Sequence, residues 1–473
     1  AADPIDAIPG LARKLPHYGK YSYLAFEGSE PSNVLKGRWP TVNSPLSVPV
    51  RQPDGTFYRG AVTAELAPRR ALAYLPPLFS EERMMEVIRF LAAEERKGRG
   101  FGTPELDRAA EFIAARFRDA GLQPAGDGKG SYFQEWKARG GEPEREAAMK
   151  NVIAVIPGSR PEWEGQSVVV GAHYDHLGLG WPDVRAINRG KVHPGADDNA
   201  SGVAVLLELA RLLGKSWRPD RSVVFIAFTG EEAERMGSKF YVENERRFPA
   251  DRTIGVLNLD TVGRLGSNRL LMLGSGSARE WVHIFMGAGY VTGVPIEPVP
   301  DDFGSSDQKS FLDAGVPAVQ LFSGPHTDLH SPADTSDRVD SAGLVKVASV
   351  VREAVEYLAH RPEPLSSLLE VKGGVLAKKT EAPGRGRKVG LGTIPDFTYR
   401  DRGVRIIGAI PGSPAEKAGL QKGDIIILIN NKPVDDLRSY SNILKGLKPG
   451  DTVMITLLRG GKEKRVEAQV VER

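Results

Sequence analysis

The chain has no cysteine among its 473 residues, and that absence excludes disulfides, thiolate metal sites and a cysteine nucleophile together. A surplus of charge is missing too. Lys and Arg (63) nearly balance Asp and Glu (60), for a formal net charge of +3. The two signs are interspersed, so no basic stripe points to a nucleic-acid partner. No apolar run approaches the roughly 18–20 residues that a membrane span needs. The chain opens on Ala1-Ala2-Asp3 and not on Met. Small residues at that place are what a cleaved signal peptide leaves, which sets the expectation of an exported protein, periplasmic or extracellular. Histidine is scarce, with eight residues, so where the histidines fall carries information.

What is present has the make-up of a soluble globular protein, 41% hydrophobic and 26% charged, long enough for two or three domains. Residues 1–80 are rich in Pro and Gly, with short apolar pieces such as Ala61-Val62-Thr63-Ala64, and are expected to be an irregular N-terminal extension. Helical periodicity starts after Ser80-Glu81-Glu82, an acceptable cap and first turn, and continues through Met84, Val87, Ile88 and Leu91. A second amphipathic helix is predicted at about 104–120, from Ala109, Phe112, Ile113 and Phe117.

From 151 to 360 short β-branched strands alternate with helices. The predicted strands are Asn151–Ile156, Ser167–Ala172, Ser222–Phe228, Gly255–Leu259 and Val316–Phe322; helices are predicted at 203–213 and 342–358. Near-continuous apolar strands separated by helices predict an α/β domain over 81–360, its central sheet mostly parallel with helices on both faces. A linker with Arg361-Pro362-Glu363-Pro364 at one end and Pro383-Gly384-Arg385-Gly386 at the other spans 361–386. A small α+β region follows, 387–473.

Chemistry concentrates where the predicted strands end. One strand runs into Ala172-His173-Tyr174-Asp175, another into Thr229-Gly230-Glu231-Glu232, a third into Asp260, and a fourth leads to Gly324-Pro325-His326-Thr327-Asp328-Leu329-His330. In an open parallel sheet functional groups gather outside the carboxyl ends of the strands. A further carboxylate candidate lies in Gly195-Ala196-Asp197-Asp198-Asn199-Ala200-Ser201-Gly202, just ahead of a helix. Two histidines with three carboxylates suit two zinc ions, one carboxylate bridging. Such a pair can activate a water and polarise a carbonyl. Glu231, beside Glu232, is then the natural general base, and Asp175 can fix the tautomer of His173. Taken singly, each feature has an ordinary explanation: a Glu-Glu pair is usually solvated surface, a lone histidine after a strand usually structural, and Asp260 could open a turn. His176, His193 and His326 are left in that ordinary class. The coincidence of five features at one sheet edge is what favours a metal site.

These residues resemble the co-catalytic zinc aminopeptidases, the bacterial leucine-aminopeptidase type related to glutamate carboxypeptidase. The matching pieces are Gly171–Asp175, Gly195–Gly202, Thr229–Glu232, Asn258-Leu259-Asp260 and His330-Ser331-Pro332-Ala333-Asp334-Thr335, with the earlier Gly100–Pro104 and Gly130–Gln134 segments. The resemblance covers about 80–360. It implies a bridging role for Asp198 and not Asp197, with His173 and Asp260 on one zinc and Glu232 and His330 on the other. It also implies Glu231 as general base and Asp175 as the partner of His173. It implies peptide substrates cut at the N-terminus, with carboxypeptidase and glutaminyl cyclase as relatives of the same fold. A non-catalytic scaffold acting through the C-terminal region is the reading from another class, and it predicts no bound zinc.

Residues 387–473 resemble a PDZ domain of the bacterial protease type, through Gly403–Ile407, Gly412–Leu420 and Lys422-Gly423-Asp424-Ile425-Ile426. Such domains add an extended peptide to a sheet edge and capture its terminal carboxylate with backbone N–H groups. The resemblance places that loop at Gly390, Leu391 and Gly392, with a peptide or protein C-terminus as partner. Thr393 departs from the pattern, where a second apolar residue is common.

Overall fold

The structure, a computed structural model, describes residues 5–18, 21–37, 54, 78–302, 306–369 and 389–472. It divides into two compact units, Ala1–Pro76 and Pro77–Arg473. In the first, Pro9 near the start favours a short helix, α1 (Ile8–Lys14). Strands β1 (Tyr23–Glu27) and β2 (Ser32–Gly37) form an antiparallel hairpin with an irregularity at Ala25/Phe26. The expectation of an irregular extension over 1–80 is corrected to that extent. Both elements are too short to leave a periodic pattern, and the hairpin turns through Gly28 at φ +88°.

The second unit opens with α2 (Glu81–Leu91), whose Ser80 side chain accepts the Arg83 N–H as an N-cap, and α3 (Pro104–Asp119), capped in the same way by Thr103. Then come β3 (Gln123–Pro124), β4 (Phe133–Gly140), β5 (Arg145–Ile156), β6 (Ser167–His173), α4 (Gly202–Gly214), β7 (Ser222–Phe228), α5 (Met236–Asn244) and β8 (Thr253–Leu259). The unit continues through β9 (Leu270–Leu273), α6 (Trp281–Thr292), β10 (Ile296–Val299), α7 (Gln308–Asp313), β11 (Ala318–Phe322) and α8 (Ser341–His360).

Among the described residues these strands build a nine-stranded sheet in the order β10-β9-β11-β8-β6-β7-β5-β3, with β4 on β5. Its centre, β11-β8-β6-β7, is parallel; β9 on β11 and β5 on β7 are antiparallel. The sheet is therefore mixed: β10 on β9 is parallel as well, and β6, β8 and β11 are buried throughout. Helices α2, α3, α4, α6 and α8 contribute one large core, in which Ile88, Phe117, Leu206, Trp281 and Val351 are fully buried. On the other face Phe228, Tyr241 and Phe311 form a smaller one.

Residues 361–369, the start of the expected linker, are fastened to α6: the Glu280 carboxylate accepts from Arg361 (3.1 Å) and from the Ser366 N–H (2.9 Å). The rest of that linker, 370–386, lies outside the described residues. The last region holds β12 (Val389–Gly390), β13 (Thr393–Pro395), β14 (Val404–Ala409), α9 (Pro414–Lys417), β15 (Ile425–Ile429), β16 (Lys432–Pro433), α10 (Leu437–Lys445), β17 (Thr452–Arg459), β18 (Lys462–Gln469) and β19 (Val471–Glu472). Its main sheet runs β13-β14-β15-β17-β18, antiparallel, over a core of its own that includes Ile406, Ile426, Leu444 and Ile455.

Candidate metal centre

Because β6, β7, β8 and β11 are mutually parallel, the residues that follow them emerge at one edge. His173 closes β6, Glu231 and Glu232 follow β7, and Asp260 follows β8. His330 comes from the loop after β11, at φ +53°. Asp198 arrives from the opposite direction, on the turn that feeds α4.

The structure brings these side chains together in pairs of distances that resemble one another. His173 Nε2 lies 3.3 Å from Asp198 Oδ1 and 3.5 Å from Asp260 Oδ1. His330 Nε2 lies 3.2 Å from Asp198 Oδ2 and 3.4 Å from Glu232 Oε2. Two ligand atoms on one tetrahedral zinc, at bond lengths near 2.0–2.1 Å, stand about 3.3–3.5 Å apart. The four separations match that edge length, and Asp198 offers one oxygen to each group. His173 Nε2 is buried with no hydrogen-bond partner among the described residues. An orphaned imidazole nitrogen aimed at two carboxylates, in a set without thiolates, fits zinc.

A surrounding layer holds the arrangement. The Asp334 carboxylate accepts the N–H groups of Asp197 and Asp198, each at 3.0 Å. Asp197 turns away from the cluster: its carboxylate accepts the Gly263 N–H at 2.5 Å and meets His326 Nε2 at 3.0 Å. Asn199 ties the turn to the end of β8, donating to Leu259 O and accepting from the Thr261 N–H. Asp175 accepts the N–H groups of Glu231 (3.1 Å) and Glu232 (3.3 Å), while its carbonyl stands 3.2 Å from His173 Nδ1. Fully buried Arg99 donates to the carbonyls of Tyr174, Leu91, Pro194 and Gly195, so one guanidinium joins the His173 and Asp198 segments.

The electrostatics are those of crowded carboxylates. Burial alone would lower the His173 imidazolium, but the nearby carboxylates of Asp175, Asp198 and Asp260 hold it well above the ordinary histidine value. Asp198 is opposed by burial and drawn well below the carboxylate range by His173, His176 and His330. Glu231 goes the other way: burial first, then the nearby charges of Glu232, Asp307 and Asp260, against His173, push it well above. Burial likewise raises Asp307 to about 7 and Asp334 to about 6. A bound dication inverts this logic by stabilising every ionised carboxylate around it.

Residues 151–355 match the model of peptidase family M28, and residues 390–470 match that of a PDZ domain. The chain carries an M28 peptidase domain joined to a PDZ domain. Leupeptin-inactivating enzyme 1 of Streptomyces exfoliatus is 25% identical over 57% of this chain and 55% of its own length. Aminopeptidase YwaD of Bacillus subtilis is 30% identical over 40% of each chain. This chain thus spans about half the length of these curated relatives. Among solved structures, glutaminyl cyclase of Porphyromonas gingivalis superposes with a TM-score of 0.50 at 20% identity, over 59% of this chain and 98% of that one. At that identity the likeness is one of fold.

Within the M28 domain, sequence reading passed over His176 and Arg99. His176 Nδ1 stands 2.7 Å from Glu232 Oε1, and neither that contact nor the carbonyl cage of Arg99 leaves a spacing to read. A cleft of about 420 Å³ begins one residue after His176 and is lined by Phe101, Leu177, Leu179 and Trp181, with Arg145 and Glu142. In the PDZ domain, Leu391 is buried and its carbonyl accepts the Ala415 N–H. Gly392 sits at φ +74°, where an added Cβ would fall 2.3 Å from Ser413. Thr393 Oγ1 and Tyr440 Oη are 2.7 Å apart, joining β13 to α10.

Proposed function

We propose that this protein is a zinc-dependent exopeptidase of the aminopeptidase type, with two zinc ions held by His173, Asp260, Glu232 and His330 and bridged by Asp198. The observation that carries the reading is the pair of near-tetrahedral edges sharing Asp198. In such a site the ions supply a Lewis acid for the scissile carbonyl and an acidified water. Glu231, beside Glu232, would accept a proton from the attacking water and return it to the leaving amine. Asp175 orients Glu231 and Glu232 by holding their amides, and its carbonyl fixes the Nδ1 side of His173. The charges converging on the site are mainly carboxylates. Arg99 is engaged by carbonyls, and Arg264 reaches Asp328 and Asp334 (3.2 and 3.7 Å). With both arginines engaged, and with the likeness to aminopeptidase YwaD of Bacillus subtilis, the N-terminal end of a peptide is taken as the end that is cut. The PDZ domain would take a peptide or protein C-terminus at Gly390, Leu391 and Gly392.

The test is metal analysis together with one peptide panel bearing free or blocked ends. About two zinc per chain, activity lost to a chelator and restored by zinc, and cleavage only of free N-termini are expected. A chain that binds no zinc would support the scaffold reading instead. Cleavage that requires a free C-terminus, or a cyclised Gln-leading product, would replace aminopeptidase by the other activities of the fold.

A further inference from the structure

His176 touches the metal cluster on one side only. Its fully buried imidazole places Nδ1 2.7 Å from Glu232 Oε1, and no closer than 4.0 Å to Asp198 Oδ1. Its ring lies edge-on to that of His330, with centroids 6.0 Å apart. His173 and Asp260 are not among these contacts. Histidine, aspartate and glutamate atoms in this arrangement could be read as a metal set, but the distance argues otherwise. Two ligands on one tetrahedral zinc stand about 3.3–3.5 Å apart, as the other four pairs do. A separation of 2.7 Å is that of a charge-assisted N–H···O hydrogen bond.

Glu232 is then divided between two duties: Oε2 faces His330 Nε2 at 3.4 Å, and Oε1 accepts from His176. The fit around the ring is tight. Gly195, at φ +59° on the turn carrying Asp198, would with any Cβ come within 2.5 Å of the His176 ring and 2.3 Å of the Asp198 carbonyl. The imidazole therefore packs closely against the segment that carries Asp198.

We propose that His176 is a positioning residue: by donating Nδ1–H to Glu232 Oε1 it confines Glu232 to one-oxygen coordination, and so sets the affinity and coordination number of the Glu232/His330 metal position alone. The inference rests on the two-ion reading above. Its experiment is stepwise cobalt titration of the metal-free 473-residue chain, read by visible absorption and by chelator competition, in wild type, His176→Ala and His176→Asn. Asn can place an N–H donor near the Nδ1 position; Ala cannot.

The expected result is that His176→Ala weakens one cobalt equivalent about ten- to hundredfold and changes its absorption toward higher coordination as Glu232 becomes bidentate. The other equivalent stays at its wild-type affinity, which also reports that the variant is folded. His176→Asn recovers most of the lost affinity and the wild-type spectrum. Equal loss of both equivalents, no loss of either, or an Asn variant indistinguishable from Ala overturns the inference while the two-ion reading stands. Wild-type protein that binds a single equivalent overturns that reading, and this inference with it.

Discussion

A single carboxylate placed among others acquires a property it lacks in water. Glu231 follows β7 by three residues and is pushed well above the usual carboxylate value by burial and by Glu232, Asp307 and Asp260. Glu231→Gln keeps the shape and the amide held by Asp175 but removes the basic oxygen. Peptide hydrolysis should fall about 10²–10⁴-fold with metal content unchanged by elemental analysis; retained turnover in a metal-loaded variant would remove Glu231 from the mechanism. Arg99 shows the complementary case. Burial lowers it to about 10 although Asp175, Asp198, Asp334 and Glu232 favour its charge, and its donors go to backbone carbonyls in place of carboxylates. Its charge and its geometry thus serve different groups.

At the scale of elements, the site depends on α4 being held under the sheet edge, because its N-terminus delivers Asp198. Buried Glu208 on α4 accepts from Arg83 of α2 (2.6 Å) and from Arg211 (2.8 Å), and also caps the Ser80 N–H at 3.0 Å. Burial raises the Glu208 carboxyl, but Arg211, Arg83 and Ser80 outweigh it and hold it below the ordinary 4.5. A depressed folded value means the stabilisation is complete above the unfolded value and is lost as pH falls through the folded one. Since both arginines are partly exposed, Glu208→Gln should cost about 1–2 kcal/mol in urea unfolding near pH 7. The difference from wild type should close as the pH is lowered below 4; a gap that persists there would show that packing, and not the ion pairs, is responsible.

For the whole second unit the open matter is how the PDZ domain bears on the M28 domain. Phe397, just after β13, packs edge-on against Phe322 at 5.6 Å, over Leu271, Leu273 and Val299. Arg400 donates to the Pro298 carbonyl at 3.2 Å, and Arg189 pairs with Glu472 at 2.8 Å. Phe322 ends the strand whose following loop carries His330, and Arg189 lies on the cleft that starts beside His176. The PDZ domain is thus anchored to two segments that lead to the histidine–carboxylate cluster. The aromatic pair contributes about 0.5–1.5 kcal/mol beyond its buried area, enough to shift a docking equilibrium. Phe397→Ala should let the PDZ amides tumble faster in nuclear relaxation measurements; unchanged relaxation would mean that the contact does not hold the domains together.

The sequence alone carried the strands of the parallel centre, because residues buried on both faces must be apolar throughout, and the helices whose caps and periodicity are local, such as Ser80 before α2. It also offered the residue types of the candidate site, with His173, Glu232 and Asp260 at or just past strand ends, Asp198 ahead of α4 and His330 in the loop after β11. Strands β4, β9 and β10 escaped it: two are short, and β4 is an alternating strand stabilised by pairing with β5 rather than by its own pattern. Which oxygen meets which nitrogen was decided in three dimensions. Asp197 and Asp198 are neighbours with the same side chain; in space Asp197 meets Gly263 and His326, and Asp198 meets His173 and His330. His176 depends still more on the fold, since its partner Glu232 lies 56 positions away in the chain and the two meet only because β6 and β7 run parallel, side by side.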